Sequence, residues 1–244
     1  MIDDAGSRVQ LEIVPSGVLP RHVAAVVAAR LRDAVQARGM ATLAVSGGGT
    51  PLTMLDALAQ LPVPWAQVHV LQVDERVAPD GDAARNAEGL RAHLLDVAPV
   101  PATNAHLVPV GDLDAAEAAA TYAGTLAAVA GTPAVLDVVQ LGIGDDGHTA
   151  SLFPGDTVLE VVDRDVAATS APHHGHGRVT LTYPALARAR RRVWMVVGEE
   201  KAEAVSRLWQ RDPSAPAARL PPERSLLVVD EAAASALPDT VRGT

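Results

Sequence analysis

Short apolar runs alternate with longer amphipathic or alanine-rich segments along almost the whole chain. The β-branched and leucine-rich runs predict strands, and the longer segments, several opened by proline or followed by glycine, predict helices. The predicted strands cover residues 9–14, 42–46, 65–73, 106–108, 136–143, 166–170, 178–183, 192–197 and 225–230. The predicted helices cover residues 20–38, 51–59, 86–95, 114–129, 184–190 and 201–210, with a short helix from residue 231. Because strands and helices alternate, we expect one α/β domain over residues 1–244, with a mostly parallel sheet covered by helices on both faces.

The strand predicted to end near residue 143 runs into a turn rich in glycine and acidic residues. Glycines at positions 142, 144 and 147 supply backbone freedom at a strand's carboxyl end, where open α/β sheets bind ligands. Asp145, Asp146 and His148 place two carboxylates beside an imidazole that can act as a base near neutral pH. The turn therefore predicts a catalytic group at the rim of a site. From the residue types alone, a helix-capping Asp-Gly turn with a surface histidine is an equal alternative.

A second junction between strand and helix has the composition of a phosphate site. Gly47, Gly48, Gly49 and Thr50 follow a predicted strand, and Pro51 opens the next helix. Successive backbone N–H groups and the positive end of a helix can cradle a phosphate in this arrangement. The turn lacks the Gly-Lys-Ser/Thr ending of a Walker loop and is not Gly-x-Gly-x-x-Gly. Tight packing between strand and helix is the alternative interpretation.

Charged residues at two further positions extend this picture. Asp74, Glu75 and Arg76 close the predicted strand 65–73, so in a parallel sheet they would share a crevice with the glycine turn. Surface ion pairing is the alternative. Among the 20 Lys and Arg residues only Lys201 is a lysine. A compact ammonium group can be required where a planar guanidinium does not fit, although chance also explains a single lysine.

The composition excludes several functional classes. The net charge of −9 and the pI near 5.3 argue against a nucleic-acid or anionic-membrane surface, which needs basic residues. The absence of cysteine excludes disulfides, thiolate nucleophiles and Cys-type zinc sites. The N-terminus does not resemble a signal peptide, and no segment has about 18 consecutive apolar residues, so we expect a cytoplasmic protein. The histidines in the loop 172–177 could suggest a metal, but a mobile, solvated loop is the favoured interpretation.

Taken together, these motifs resemble the 6-phosphogluconolactonase family. The matching segments, in family order, are 46–51, 74–76 with Asn86 downstream, 142–155, 178–182, 198–201 and 230–233. The run Asp-Gly-His-Thr-Ala-Ser-Leu-Phe-Pro-Gly, residues 146–155, is the most specific of them. The resemblance implies a Rossmann-like three-layer αβα fold of the sugar-phosphate isomerase/deaminase type. It also implies hydrolysis of 6-phospho-D-glucono-1,5-lactone in the oxidative pentose phosphate pathway, by an enzyme that needs no metal or organic cofactor.

The resemblance further implies roles for particular residues. His148 would be the general base, Asp146 would either orient it or only shape the turn, and Arg76 would either stabilise the negative charge that develops on the substrate or position the lactone. Asp74 would accept hydrogen bonds from the sugar. The phosphate would be bound by residues Gly47, Gly48, Gly49, Thr50, Arg178 and Lys201. The expected partner is thus a small sugar-phosphate lactone, with no nucleic acid and no membrane, and we expect a monomer or a weak homodimer.

A deaminase and a sugar-phosphate sensor are the two alternatives to the lactonase. Related deaminases carry a glutamate that assists ring opening where this chain has Phe153, and an aromatic residue where it has Arg76. A sugar-phosphate sensor of a transcription regulator would need a DNA-binding segment, and this acidic chain offers no basic helix for one. Two features depart from the family pattern: the His-rich loop 172–177, and Arg85 in place of a small polar residue before Asn86.

Overall fold

The computed structural model describes residues 9–111 and 113–242, in which ten strands form two sheets. The strands are β1 Gln10–Ile13, β2 Ala41–Val45, β3 Val68–Gln72, β4 Asp74–Arg76, β5 Ala105–His106, β6 Val138–Leu141, β7 Val166–Ala168, β8 Arg178–Leu181, β9 Arg191–Val196 and β10 Ser225–Val229. The large sheet has seven strands in the order β1-β10-β9-β6-β2-β3-β5, and all its pairings are parallel. The small sheet has three antiparallel strands in the order β4-β8-β7.

Helices cover both faces of the large sheet. They are α1 Leu19–Arg38, α2 Gly49–Ala59, α3 Asn86–Leu90, α4 Ala115–Ala130, α5 Tyr183–Arg188, α6 Ala202–Gln210 and α7 Asp239–Arg242, and a wider turn of helix at Arg91–Leu95 extends α3. Neighbouring residues of β9 point into two different cores: Val193 packs with α1 and α2, whereas Trp194 packs with α4 and α6. The predicted parallel sheet with helices on both faces is therefore confirmed.

Burial on both faces explains why the central strands are continuous apolar runs. Every residue of β2, β6 and β10 is buried, so no position of these strands faces water. Helix ends follow local chemistry as well. Asp114 and Glu117 form a capping box at the start of α4, and Gly39 adopts a left-handed conformation after α1.

The small sheet is the main departure from the predicted organisation, because the strands 166–170 and 178–183 were expected to belong to one parallel sheet. The predicted strand 65–73 also stops at Gln72, and the chain turns at Val73 into β4. Val73 donates its N–H to Val45 of the large sheet and accepts the N–H of Leu181 from the small one. One residue thus fastens the two sheets together.

A second difference concerns the segment after β10. The short helix predicted from Glu231 is absent from the described residues 231–236, which form consecutive turns. Asp230 accepts the N–H of Ala233 through its side chain, and Leu237 donates to the carbonyl of Ala234. Ala234 donates to the carbonyl of Asp230, four residues back, but the bonds that follow reach only three residues and Pro238 ends the segment, so a regular helix does not propagate.

Candidate active site

A cleft of about 190 Å³ lies at the carboxyl ends of β2, β6 and β9, between the large and small sheets. Every residue predicted for the site lines this cleft except Asp146: Gly47, Gly48, Gly49, Thr50, Asp74, Arg76, His148, Arg178 and Lys201. The structure therefore brings together residues that are far apart in the chain. The crevice expected from the parallel sheet is the place where they meet.

His148 stands at the end of a tight turn that follows β6. Gly144 donates its N–H to the carbonyl of His148 at 2.9 Å, and Gly147 has a φ of +87, which disfavours other residues. A Cβ at Gly144 would lie 2.1 Å from Nδ1 of His148. The turn needs glycine at these positions because the backbone and the imidazole approach each other closely.

Asp146 holds His148 twice. One carboxylate oxygen accepts the backbone N–H of His148 at 2.9 Å and lies 2.6 Å from its ring Nδ1. Burial by itself raises the pKa of Asp146, but these hydrogen bonds and the nearby imidazole outweigh it and hold the pKa below its usual range. Asp146 is therefore a carboxylate at neutral pH. In a neutral His148 ring it favours the proton on Nδ1, which leaves Nε2 as an acceptor.

The glycine turn forms the opposite wall. Gly48 has a φ of +100, and α2 begins directly after it without a side-chain cap from the described residues. A Cβ at Gly47 would lie 1.8 Å from Oδ1 of Asn86, so any other residue here would force the Asn86 side chain to move. The first N–H groups of a helix at the edge of a cleft can bind an anion, and α2 begins at such an edge.

Glu75 does not line the cleft, but it holds the backbone of two segments that do. Its side chain is fully buried and accepts the backbone N–H groups of Arg76, Asn86 and Ala87 at 2.7 to 2.8 Å. The amide of Gln72 donates a fourth hydrogen bond at 2.8 Å. The alternative of surface ion pairing is wrong for Glu75, because its carboxylate is inside the protein and is held mainly by amide N–H groups.

Asp74 is also fixed in place. It is buried, accepts the hydroxyl of Ser151 at 2.6 Å and receives the amide of Asn86 at 3.3 Å. The helix predicted over residues 86–95 does begin at Asn86, with Arg85 in the capping position. The Asn86 side chain is therefore free to bind Asp74.

Three cations face the cleft in a chain whose net charge is −9. Arg76 and Arg178 lie directly opposite each other across β4 and β8. Burial, followed by the charge of Arg76, lowers the pKa of Arg178. Lys201 directly precedes α6, on a turn that Asp230 holds by accepting the N–H of Gly198 at 3.1 Å. This local positive charge suits an anionic ligand.

Hydrogen bonds hold the loop 172–177 in place, so the loop is not fully solvated. His173 bonds the buried carboxylate of Asp156 at 2.8 Å, and His173 and His176 exchange backbone hydrogen bonds. Within the described ranges no group of three or more histidine and acidic side chains is arranged to hold a metal ion.

Several supporting residues escaped the sequence-based prediction. Gln140 is buried in β6, where its side chain and carbonyl accept the N–H and hydroxyl of Ser46 at 3.2 and 3.0 Å. Ser151 binds Asp74, and Glu75 gathers the N–H groups described above. A lone polar residue within an apolar strand was the one available signal for Gln140, whereas the partners of Ser151 and Glu75 are set by tertiary contacts.

Solved structures share this architecture. The chain superposes on a monomeric glucosamine-6-phosphate deaminase with a TM-score of 0.81, 16% identity and coverage of 93% of this chain and 100% of that one. This similarity shows the fold. A 6-phosphogluconolactonase from Shewanella baltica OS155 is 31% identical, with a TM-score of 0.77 and coverage of 92% of this chain and 97% of that one.

Sequence comparison then defines the family. Residues 16–229 match the family model described as glucosamine-6-phosphate isomerases/6-phosphogluconolactonase. The 6-phosphogluconolactonase of Synechocystis sp. is 35% identical over 222 residues, which are 88% of this chain and 92% of that protein. The chain belongs to the glucosamine-6-phosphate isomerase/6-phosphogluconolactonase family. The resemblance and the expectation of an enzyme are both confirmed. Among the helices of the described ranges, none has the length and hydropathy to cross a bilayer.

Proposed function

We propose that the protein hydrolyses 6-phospho-D-glucono-1,5-lactone to 6-phospho-D-gluconate, the lactonase step of the oxidative pentose phosphate pathway. The observation that carries the proposal is the pair formed by His148 and Asp146, 2.6 Å apart, at a cleft that also contains the glycine turn. An oriented base and an anion site are what hydrolysis of a phosphorylated cyclic ester requires. The relatives named 6-phosphogluconolactonase support the same reaction.

The proposed chemistry begins with water. Nε2 of His148 accepts a proton from a water molecule while the water oxygen bonds to the lactone carbonyl carbon. The carbonyl oxygen becomes an oxyanion, which Arg76 stabilises. The carbonyl then re-forms as the bond to the ring oxygen breaks, and the imidazolium returns its proton to that oxygen. Asp146 stays ionised throughout and stabilises the imidazolium.

The remaining groups bind the substrate. The N–H groups of the glycine turn, Gly47 to Thr50, hold the phosphate together with Lys201 and Arg178. Asp74, held by Ser151 and Asn86, presents its carboxylate to sugar hydroxyls. Binding a phosphate remote from the reacting carbonyl positions the ester against His148, and correct positioning contributes about 7–11 kcal/mol in favourable cases.

The deaminase alternative shares the fold and differs at Phe153 as well as at Arg76. Phe153 occupies the place of the deaminase glutamate, is 4% exposed and packs against His148 with ring centroids 4.3 Å apart. An apolar ring cannot supply the carboxylate that assists ring opening. Release of ammonia from glucosamine 6-phosphate would support the deaminase instead.

Hydrolysis of freshly generated 6-phosphogluconolactone is the decisive experiment. The wild type should accelerate it above the spontaneous rate of an enzyme-free control and should act poorly on an unphosphorylated gluconolactone. His148→Ala should reduce turnover by about 10²- to 10⁴-fold, the usual range for a general base. A folded wild-type protein that binds 6-phosphogluconate without accelerating hydrolysis would be a sensor and would refute the proposal.

A further inference from the structure

Three aromatic rings are in contact beside the cleft. Phe153, the only phenylalanine of the chain, lies between two histidines. Its ring centroid is 4.3 Å from that of His148, with an angle of 34° between the planes, and 4.0 Å from that of His173, with an angle of 11°. Aromatic rings at these separations attract each other and limit each other's rotation.

The outer ring of the stack is anchored to a buried acid. Nε2 of His173 lies 2.8 Å from Oδ2 of Asp156, whose side chain is only 1% exposed. Asp156 also accepts the backbone N–H of Val158 and both the N–H and the hydroxyl of Ser170. The carboxylate therefore joins the His-rich loop to the segment that follows Phe153, and it sets the orientation of the His173 ring.

His148 needs a second constraint besides Asp146. A hydrogen bond at Nδ1 fixes the position of that atom, but the ring can still swing about the bond, and Nε2 moves with it. Contact with the Phe153 ring, whose centroid lies 4.3 Å away, restricts this rotation. Because Phe153 is in turn supported by His173, the order of the imidazole depends on the outer ring.

We propose that His173 is a positioning residue: anchored by Asp156, its ring holds Phe153 against His148 and so directs Nε2 of His148 toward the cleft. The inference rests on the proposed role of His148 as the base. The backbone of His173 contributes at the same place, because its carbonyl accepts hydrogen bonds from Nε and Nη2 of Arg178 at 3.2 and 2.9 Å. The His-rich loop is thus a support for two groups of the site.

Three variants test whether the His173 ring positions His148 or only fills space in the protein. His173→Ala removes the ring and should lower kcat about 10-fold while KM changes less than about 3-fold, because the carbonyl that holds Arg178 remains. When kcat/KM is plotted against pH, the fall on the acid side should also occur at a different pH in this variant than in the wild type. His173→Phe keeps a ring against Phe153 but loses the bond to Asp156, so its kcat should lie between those of the wild type and His173→Ala. His176→Ala is the matched control, since the His176 side chain makes no hydrogen bond to the described residues.

A measurement independent of turnover completes the test. The NMR signals of the His148 ring protons, identified by their loss in His148→Gln, lie in the ring current of Phe153 and should move in His173→Ala but not in His176→Ala. Unchanged His148 signals, or a kcat and pH profile of His173→Ala equal to those of His176→Ala, would overturn the positioning role. If the unfolded fraction of His173→Ala accounts for all of its lost lactone hydrolysis, the positioning role is overturned as well. Absence of hydrolysis by the wild type would instead refute the proposed function, so the two failures are distinguishable.

Discussion

A single carboxylate oxygen of Asp146 serves both the backbone N–H and the ring of His148, at 2.9 and 2.6 Å. Asp146→Asn should lower kcat about 10- to 100-fold, because an amide at this position can donate to Nδ1 and move the ring proton to Nε2. Steady-state assays of the lactone should show the loss in kcat. Asp145→Asn, at the neighbouring exposed carboxylate, serves as the control. Equal kcat values for the two variants would remove the orienting role of Asp146.

The closeness of Gly144 to His148 gives a second prediction. Gly144→Ala places a Cβ 2.1 Å from Nδ1 of His148 and 2.8 Å from Oδ1 of Asp146, so the imidazole must move. We expect kcat/KM to fall about 10²-fold in a protein that still folds. Gly124→Ala in α4, where no atom lies within 4 Å, should keep full activity and gain about 0.5–1 kcal/mol of stability. Wild-type kcat/KM in Gly144→Ala would show that the ring position is unimportant.

Lys201 should affect binding more than chemistry. Lys201→Ala should raise KM about 10- to 100-fold with a smaller change in kcat, because a charged hydrogen bond to the phosphate contributes about 1.5–3 kcal/mol. The comparison variant is Arg21→Ala, which removes an exposed cation from α1. Kinetics at two ionic strengths provide the measurement, since salt should weaken the wild-type interaction. If KM is the same in both variants, Lys201 does not contact the phosphate.

Glu75 should dominate local stability. Glu75→Gln replaces an acceptor of four hydrogen bonds by an amide whose N–H groups face other donors. We expect the free energy of unfolding in urea to fall by about 2–4 kcal/mol. Glu203→Gln on the exposed face of α6 should change it by less than about 0.5 kcal/mol. A similar small loss in both would mean that the buried carboxylate is dispensable.

Asp156 should make stability depend on pH in the acid range. Burial by itself raises its pKa, but the N–H of Val158, the ring of His173 and the groups of Ser170 outweigh it and hold the pKa below the ordinary value of 3.8. A carboxyl with a lower pKa in the folded state stabilises the protein above 3.8, and that contribution disappears as the pH falls through the folded value. Urea midpoints measured between about pH 6 and pH 3 should therefore fall more steeply for the wild type than for Asp156→Asn. Parallel curves would contradict this linkage.

Much of the large sheet was predictable, because its strands are buried on both faces and read as apolar runs. The run 42–46 differs from β2 by one residue, and the turn after β6 was found from its glycines and its Asp-Gly-His motif. The glycine turn and His148 could be assigned to one crevice because carboxyl ends of parallel strands share an edge.

The small sheet could not be predicted in the same way. Its pairing joins Arg76 to Arg178, about a hundred positions apart, and no local pattern encodes that partner. The supports of the site behave alike: Asn86 bonds Asp74, and Asp156 bonds His173, only after the chain has folded. The sequence identifies side chains that can perform chemistry, whereas tertiary contacts determine how each side chain is held.

The junction at Val73 has a consequence for substrate selection. The glycine turn and His148 belong to the edge of the large sheet, whereas Arg76 and Arg178 belong to the small one, and the N–H of Ser151, three residues after His148, donates to the Thr180 hydroxyl of the small sheet at 3.1 Å. On the proposed function, each end of the substrate is contacted from both sheets: the phosphate by the glycine turn and Arg178, and the carbonyl by His148 and Arg76. Selection of the lactone therefore depends on the alignment of the two sheets, and a shift at Val73 would weaken the phosphate contact and the carbonyl contact together.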